Sequence, residues 1–273
     1  MKKMKVFISI DLEGISGLVQ WDSADRQIER ELITAEANAA IAGAFDGGAT
    51  DVLVTEAHGN MRNILPEKID HRASFISGQP KPKNHMSGID SSFRAALLIG
   101  YHSKAGTLNG VMAHTFTGSI FSLKFNDMEL GEIGTDAAIA GHYDVPVVMV
   151  TGDKAACLEA RELLGEVETV SVKEGISRSS AKCTAPPSAR RLIREGAKRA
   201  IASLSASSNQ KPFKIKSPVR TEITFTDPSY ADCVSNMPFV ERIDGRKIAF
   251  KAPDMIQSFE LFNSIQFLAG VVR

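Results

Sequence analysis

The sequence lacks an excess of charge of either sign, because Lys plus Arg and Asp plus Glu both number 32 among its 273 residues. A formal net charge of zero removes the electrostatic argument for a nucleic-acid partner or for an anionic membrane surface. No segment approaches the roughly 20 consecutive apolar residues that a membrane-spanning helix needs. We therefore expect an ordinary globular protein with neither kind of partner, whose near-zero charge tolerates self-association.

Cysteine is also scarce, and the three that are present lie far apart at Cys157, Cys183 and Cys233. Their odd number and the absence of a CxxC pair argue against a framework of disulfide bonds and favour a reducing compartment. The apolar run before Asp11 is too short for the core of a signal peptide. These observations predict a cytoplasmic protein.

Short apolar segments alternate with amphipathic ones in the first half of the chain. The pattern predicts strands at residues 4–10, 51–55, 95–100 and 145–150. It also predicts three helices: a long one that ends near residue 45, and two that cover residues 131–143 and 154–164. Such alternation is typical of an α/β fold with a largely parallel sheet flanked by helices. The less regular second half predicts a smaller α+β C-terminal lobe. We place the boundary at residue 165, with a metal-binding α/β domain over 1–165 and the lobe over 166–273.

Polar side chains follow three of the predicted strands. Asp11 and Glu13 come directly after the first strand, and residues two apart in an extended chain point to one side. Two carboxylates so close repel each other and need a cation, a proton or a strong donor. His58 and His102 follow two further strands, and parallel strands present such ends at one edge of a sheet. Mixed carboxylate and imidazole ligands favour Zn²⁺, Mn²⁺ or Fe over Mg²⁺.

Three further residues are weaker candidates when they are judged from the sequence alone. Glu132 lies at a predicted helix start, where a carboxylate often only complements the helix dipole. His114 lies in a loop and is either a structural histidine or a proton shuttle beside the metal. Glu56 shares a face with His58 and either supports it or is solvated. The remaining histidines have no comparable context and are predicted to be non-catalytic: His71, His85 and His142.

Together these motifs resemble one known family, the zinc-dependent D-aminopeptidases of dipeptide-permease operons (DppA type). The resemblance runs in one order from residue 4 to about residue 260. It is carried by Ser9-x-Asp11-x-Glu13-Gly14, Ala57-His58-Gly59, Gly100-Tyr101-His102, Gly110-Val111-Met112-x-His114 and Gly131-Glu132-x-Gly134. One departure is Thr55-Glu56-Ala57, where the family has an Asn-Asp-Ser type of sequence. This departure concerns substrate preference, since all the ligand positions are retained.

The resemblance implies two zinc ions per chain and hydrolysis of short peptides with an N-terminal D-residue of the D-Ala type. It implies that Asp11 bridges the two ions, that Glu13 and His102 complete one coordination shell, and that His58 and Glu132 complete the other. It makes His114 the catalytic residue, described in the family as a nucleophile, although a general base or proton shuttle fits the chemistry as well. It further implies a ring-like homo-oligomer, such as a decamer, that encloses the active sites.

Two other functions use similar residues. A two-metal phosphoesterase, or another amide hydrolase, can be built from an Asp, His and Glu set. Phosphate chemistry usually adds Arg, Lys or a glycine-rich backbone cradle. No such cradle stands beside Asp11, although Arg26, Arg62 or Arg94 could fold inward. A non-catalytic, metal-stabilised binding protein is the third hypothesis, and it predicts that His114 is dispensable.

Overall fold

The structure is a computed structural model that describes residues 3–21, 26–206 and 210–272. Its elements, in chain order, are β1 (Lys5–Ile10), α1 (Arg26–Asp46), β2 (Asp51–Glu56), β3 (Ser74–Ile76), a 3-10 turn (Asn84–Met86), β4 (Ala95–Tyr101), β5 (Ile120–Phe125), β6 (Met128–Glu129), α2 (Glu132–His142), β7 (Val147–Asp153), α3 (Lys154–Leu164), β8 (Glu168–Ser177), β9 (Ser180–Cys183), α4 (Pro186–Ala206), β10 (Val219–Phe225), α5 (Pro228–Val234), β11 (Glu241–Arg242), β12 (Lys247–Ala252) and α6 (Met255–Ala269). Among these described helices, none is both long and apolar enough to cross a membrane.

The larger sheet has seven strands in the order β3-β2-β1-β4-β7-β8-β9, and all its pairs are parallel except β8 with β9. Helices cover both faces, so the central strands β4 and β7 are buried along their whole length and are mostly apolar. On β1, Val6, Ile8 and Ile10 pack in one core with residues of α1 and α4, whereas Phe7 packs in the opposite core with residues of α2 and α6. This alternation follows from the two-residue period of a strand.

The smaller sheet is antiparallel and has the order β11-β12-β10-β5-β6. Helices α5 and α6 pack against it, and residues of α2 join the same core. The predicted fold class, an α/β protein with a mostly parallel sheet and a smaller α+β part, is therefore confirmed. The smaller part is not purely C-terminal, because β5 and β6 come from the middle of the chain.

The predicted boundary at residue 165 does not coincide with the division between the two sheets. Strands β8 and β9 follow that residue and extend the larger sheet, while β5 and β6 precede it and belong to the smaller sheet. The assignment of residues 1–165 and 166–273 to separate folding units stays a prediction. Each sheet contains strands from both sides of residue 165, because β7 pairs with β8 in the larger sheet and β5 pairs with β10 in the smaller sheet.

The topology brings three strand ends to one place. Strands β1, β2 and β4 are adjacent and parallel, with Ile10 in register with both Glu56 and Ile99. Their carboxyl ends therefore lie at the same edge, where ligands bind in open parallel sheets. Helix α2 begins near this edge, since its first residue, Glu132, lies 3.2 Å from His102, which directly follows β4.

Candidate metal centre

Six predicted side chains converge at the carboxyl edge of β1, β2 and β4. They form two groups of three, within each of which the potential ligand atoms all lie within 4.8 Å of one another. One group is Asp11, Glu13 and His58, and the other is His102, His114 and Glu132. Asp11 joins them, since its Oδ2 lies 3.5 Å from Nε2 of His102.

The first group is built on the loop that follows β1. Glu13 Oε2 lies 2.8 Å from Nδ1 of His58, and Asp11 Oδ1 lies 3.8 Å from the same nitrogen. The loop lies tightly against β4 because Gly14 donates a backbone hydrogen bond to the Gly100 carbonyl oxygen at 2.7 Å. A Cβ atom on residue 14 would collide with the Tyr101 carbonyl oxygen, so glycine is required for this close approach.

The second group combines the end of β4, a loop and the start of α2. Oε1 of Glu132 lies 3.2 Å from Nε2 of His102 and 3.6 Å from Nε2 of His114. The two imidazole rings are stacked, with centroids 4.1 Å apart. Each ring places Nδ1 2.9 Å from a backbone carbonyl oxygen, that of Ser103 for His102 and that of Met112 for His114. A carbonyl only accepts, so Nδ1 carries the proton and the Nε2 lone pair faces the cluster when the ring is neutral.

The loop that carries His114 is held from two remote elements. The backbone N–H of Val111 donates to Oδ2 of Asp153 at 2.7 Å, and the N–H of Met112 donates to the Arg178 carbonyl oxygen at 2.8 Å. Asp153 also caps α3 by accepting from the N–H of Ala156. The position of His114 is therefore fixed by β7 and by the turn between β8 and β9.

The carboxylates of the cluster differ strongly in their affinity for protons. Burial, followed by the negative charge of Glu13, raises the pKa of Asp11 well above its usual range. Burial also opposes ionisation of Glu13, but the charge and hydrogen bond of His58, together with the charges of His114 and His102, outweigh it and hold the pKa of Glu13 well below normal. At Glu132, burial is outweighed in the same way by His102 together with the charges of His114 and His85, which bring the pKa to about 2. Asp11 is thus the carboxylate that most needs a cation in order to be ionised.

The pKa values of the three histidines also shift in different directions. At His102, burial opposes protonation, but the charge and hydrogen bond of Glu132, together with the charges of Asp11 and Glu13, outweigh it and raise the pKa well above normal. At His58, Glu13 outweighs burial and raises the pKa. Burial and then the charge of His102 lower the pKa of His114. His114 is therefore the imidazole of the cluster that is held neutral at physiological pH and is suited to accept a proton.

The residues present fit zinc. Oδ2 of Asp11 and Nε2 of His102 are buried and have no hydrogen-bond partner, although each points into the cluster. Within the described residues, their only near partners are charged groups of the cluster itself, and a shared cation would satisfy both atoms. Carboxylate oxygen and imidazole nitrogen are characteristic ligands of zinc.

The nearest contacts do not follow the ligand pairs that the resemblance implies. Glu13 contacts His58, and His102 contacts Glu132, whereas the resemblance pairs Glu13 with His102. Asp11 lies between the two groups in either scheme, which is consistent with a bridging role. The assignment of each side chain to one ion stays a prediction.

His85 lies beside the cluster, although its sequence context did not single it out. It is buried, with Nδ1 3.1 Å from Oδ2 of Asp136 and 3.6 Å from Oε2 of Glu132. The Tyr101 hydroxyl donates to the same Asp136 oxygen at 2.7 Å. A sequence signal for Asp136 exists, because it follows Glu132 by four residues and so shares its face of α2. No comparable signal marks His85.

Glu56 is neither solvated nor a partner of the His58 ring within the described contacts. It is fully buried, and its Oε2 accepts hydrogen bonds from the backbone N–H groups of Asn63 and Ile64. The Asn63 side chain in turn donates to the His58 carbonyl oxygen at 2.9 Å. Glu56 therefore shapes the loop that presents His58. The solvated interpretation of this residue is wrong.

A cavity of about 330 Å³ opens beside His58. Its walls include the side chain of Trp21, whose indole N–H donates to Oε1 of Glu13 at 2.7 Å. The other residues that line it are Leu12, Arg26, Glu29, Gly59, Asn60 and Asn63. Of the six cluster side chains, His58 is the one that lines this cavity and is open to a small molecule there.

Comparison with known proteins identifies the family of the chain. The sequence profile of the D-aminopeptidase family matches residues 4–264. A D-aminopeptidase of Bacillus subtilis (strain 168) is 41% identical over 263 residues, which are 94% of this chain and 94% of that protein. A solved structure, the Zn-dependent D-aminopeptidase DppA from Bacillus subtilis, a self-compartmentalizing protease, is 38% identical and has a TM-score of 0.94. That match covers 98% of this chain and 99% of the other. The chain therefore belongs to the D-aminopeptidase family.

Proposed function

We propose that the protein is a zinc-dependent aminopeptidase that hydrolyses short peptides with an N-terminal D-amino acid of the D-Ala type. The observation that carries this proposal is the convergence of three carboxylates and three imidazoles at one edge of the parallel sheet. Family membership supports it, as does the activity named for the 41% identical relative.

We further propose that the cluster holds two zinc ions per chain. Asp11 would bridge them. The resemblance assigns Glu13 and His102 to one ion and His58 and Glu132 to the other, but the contacts favour Glu13 with His58 at one ion and His102 with Glu132 at the other. Bound zinc would supply Lewis-acid polarisation of the scissile carbonyl and activation of water. The unpaired atoms of Asp11 and His102 support a cation at this place.

His114 is proposed to move the proton that amide hydrolysis requires. Its lowered pKa keeps the ring neutral, and its Nε2 faces the cluster because Nδ1 donates to the Met112 carbonyl oxygen. A neutral imidazole can take a proton from the attacking group and give it to the departing amine. We propose this role rather than direct attack, because bound zinc would already supply the nucleophile by activating water.

Assembly and location are part of the proposal. A ring-like homo-oligomer, such as a decamer, would enclose the active sites, as the description of the solved relative as self-compartmentalizing suggests. The three cysteines are free, which agrees with a reducing compartment and supports a cytoplasmic location.

The phosphoesterase alternative gains no support from the described part of the chain. There, the ion pairs of Asp11, Glu13 and Glu132 are made with histidines, and none is made with Arg or Lys. Among the arginines that could have folded inward, Arg26 lines the cavity, whereas Arg62 and Arg94 are exposed.

The test is a substrate panel for the zinc-replete protein. It contains D-alanyl and L-alanyl dipeptides and tripeptides, together with p-nitrophenyl phosphate. We expect cleavage of the D-alanyl peptides, loss of that cleavage in Glu132→Gln, and retention in His71→Ala, whose side chain is 92% exposed. Phosphate release without peptide cleavage would establish the alternative instead. Zinc content measured in the same samples separates a lost metal from lost chemistry.

A further inference from the structure

The chain contains a single tryptophan, and it contacts the metal cluster directly. The Trp21 indole N–H donates to Oε1 of Glu13 at 2.7 Å, while Oε2 of Glu13 lies 2.8 Å from His58. Both carboxylate oxygens therefore have a partner, and the indole fixes which one faces His58. Groups that orient ligands in this way commonly tune metal affinity.

The indole ring also contacts the loop of the proposed proton carrier. It stands edge-on to the His114 ring, with centroids 5.4 Å apart and an angle of 81° between the planes. The Arg178 guanidinium group lies 5.3 Å from the Trp21 ring centroid, and the Arg178 carbonyl oxygen accepts from the N–H of Met112. Trp21 thus links a metal ligand, the His114 loop and the turn that supports this loop.

Part of the indole remains open to solvent. Trp21 is 49% exposed, although its partner Glu13 is buried, and it forms a wall of the cavity beside His58. A peptide whose scissile bond reaches the cluster through this cavity must pass along that wall. An exposed indole offers a rigid apolar surface to a side chain next to the reacting bond.

We propose that Trp21 has two roles in the reaction proposed above, on which this inference rests. Its N–H positions Glu13 for zinc, and its exposed ring packs against the small apolar side chain adjacent to the scissile bond of the peptide. Two substitutions separate these roles. Trp21→Phe removes the N–H and keeps an aromatic ring, whereas Trp21→Ala removes both.

The positioning role is tested on metal-free protein by titration with zinc against a chelator of known affinity. We expect Trp21→Phe to bind zinc about 10- to 100-fold more weakly, as is common when the partner of a ligand is lost. Phe121→Leu is the matched control, because it removes an exposed aromatic ring on β5 of the other sheet, and its zinc affinity should be unchanged. Equal affinity of Trp21→Phe and the wild type would overturn the positioning role.

The single tryptophan gives this titration a second readout, because all indole fluorescence comes from Trp21. Its emission should shift as zinc binds to the metal-free wild type. In the double variant Trp21→Phe/Phe239→Trp, the only indole stands on the loop before β11 and should not respond. A wild-type emission that stays constant while zinc content rises would also contradict the contact with Glu13.

The wall role is tested at saturating zinc with a D-alanyl dipeptide. Trp21→Ala should raise KM about tenfold, a loss of roughly 1.4 kcal/mol of binding, while Trp21→Phe stays within a few-fold of the wild type. An unchanged KM in Trp21→Ala would overturn this role while the proposed function stands. A wild type that cleaves no peptide would overturn the wall role together with the proposed function, and the zinc titration would still decide the positioning role.

Discussion

The Lys173 ammonium group donates a hydrogen bond to the Ile15 carbonyl oxygen at 2.9 Å, across 158 positions of the sequence. The same group donates to the carbonyl oxygens of Glu13 and Leu18, so all three of its donors are used by one loop. Lys173 is buried on β8, and the loop is the one that presents Asp11 and Glu13. A lysine on β8, which is separated from β1 by two strands of the same sheet, thus holds in place the loop that carries the carboxylates of the centre.

Replacement of Lys173 by Met should destabilise the protein by on the order of 3 kcal/mol, because several buried carbonyl oxygens lose their donor. The free energy of unfolding in urea measures the change. Lys154→Met is the matched control. Lys154 forms an exposed ion pair with Glu174, the residue next to Lys173 on β8, and such pairs contribute little to stability. Equal stability of the Lys173 variant and the control would show that the loop after β1 does not depend on the hydrogen bonds from Lys173.

Replacement of Asp11 by Asn should abolish binding of both zinc ions if this residue bridges them. It should also stabilise the metal-free protein at neutral pH, because burial and Glu13 disfavour the charged form of Asp11. Zinc content by mass spectrometry and thermal unfolding in a chelator measure the two effects. Asp51→Asn, at the exposed start of β2, is the control. A full zinc complement in the Asp11 variant would exclude bridging.

Replacement of His114 by Ala should preserve fold, oligomer and zinc but lower kcat about 10²- to 10⁴-fold, the usual effect of losing acid–base assistance. Zinc content and turnover of a D-alanyl peptide are measured in one sample. Because His114 Nε2 lies near Glu132, the competing outcome is loss of activity together with loss of zinc, which would make it a ligand. Near-normal turnover would remove it from the mechanism.

Glu36 should make stability depend on pH. Burial raises its pKa to about 7, and its Oε1 accepts from the Ser16 N–H at 2.9 Å. Because the folded-state pKa exceeds the unfolded value, the contribution of Glu36 is fully present below about pH 4.3 and is lost as the pH rises through about 7. Glu36→Gln should remove this loss, which is on the order of 3 kcal/mol by linkage.

The measurement for Glu36 is urea unfolding between pH 5 and pH 8 in the presence of a chelator. Glu31→Gln on the same helix is the control, since that carboxylate is exposed and paired with Lys68. A wild-type protein and a Glu36→Gln variant with the same pH dependence would contradict the raised pKa.

The oligomer is tested by light scattering coupled to size-exclusion chromatography. A closed ring should give one mass that is a multiple of the 29.5 kDa chain and larger than a dimer. A monomer at micromolar concentration would exclude the self-enclosing assembly.

The sequence by itself determined the parallel sheet and the position of four site residues. Apolar strands alternating with helices pair in parallel, and parallel strands end at one edge, so Asp11, Glu13, His58 and His102 had to lie near one another. The helix over residues 154–164 was also predicted to its observed ends, because the Asp153 side chain caps it and Gly165 follows it.

Only the tertiary structure decided which residues surround these four. Trp21, His85 and Lys173 reach the cluster from a loop, a 3-10 turn and a remote strand. Strands β5 and β6, from the middle of the chain, pair into the smaller sheet with the C-terminal strands β10, β11 and β12. Periodicity reports which face of an element is buried, but contacts between distant segments depend on how whole elements pack, and local sequence does not encode that packing.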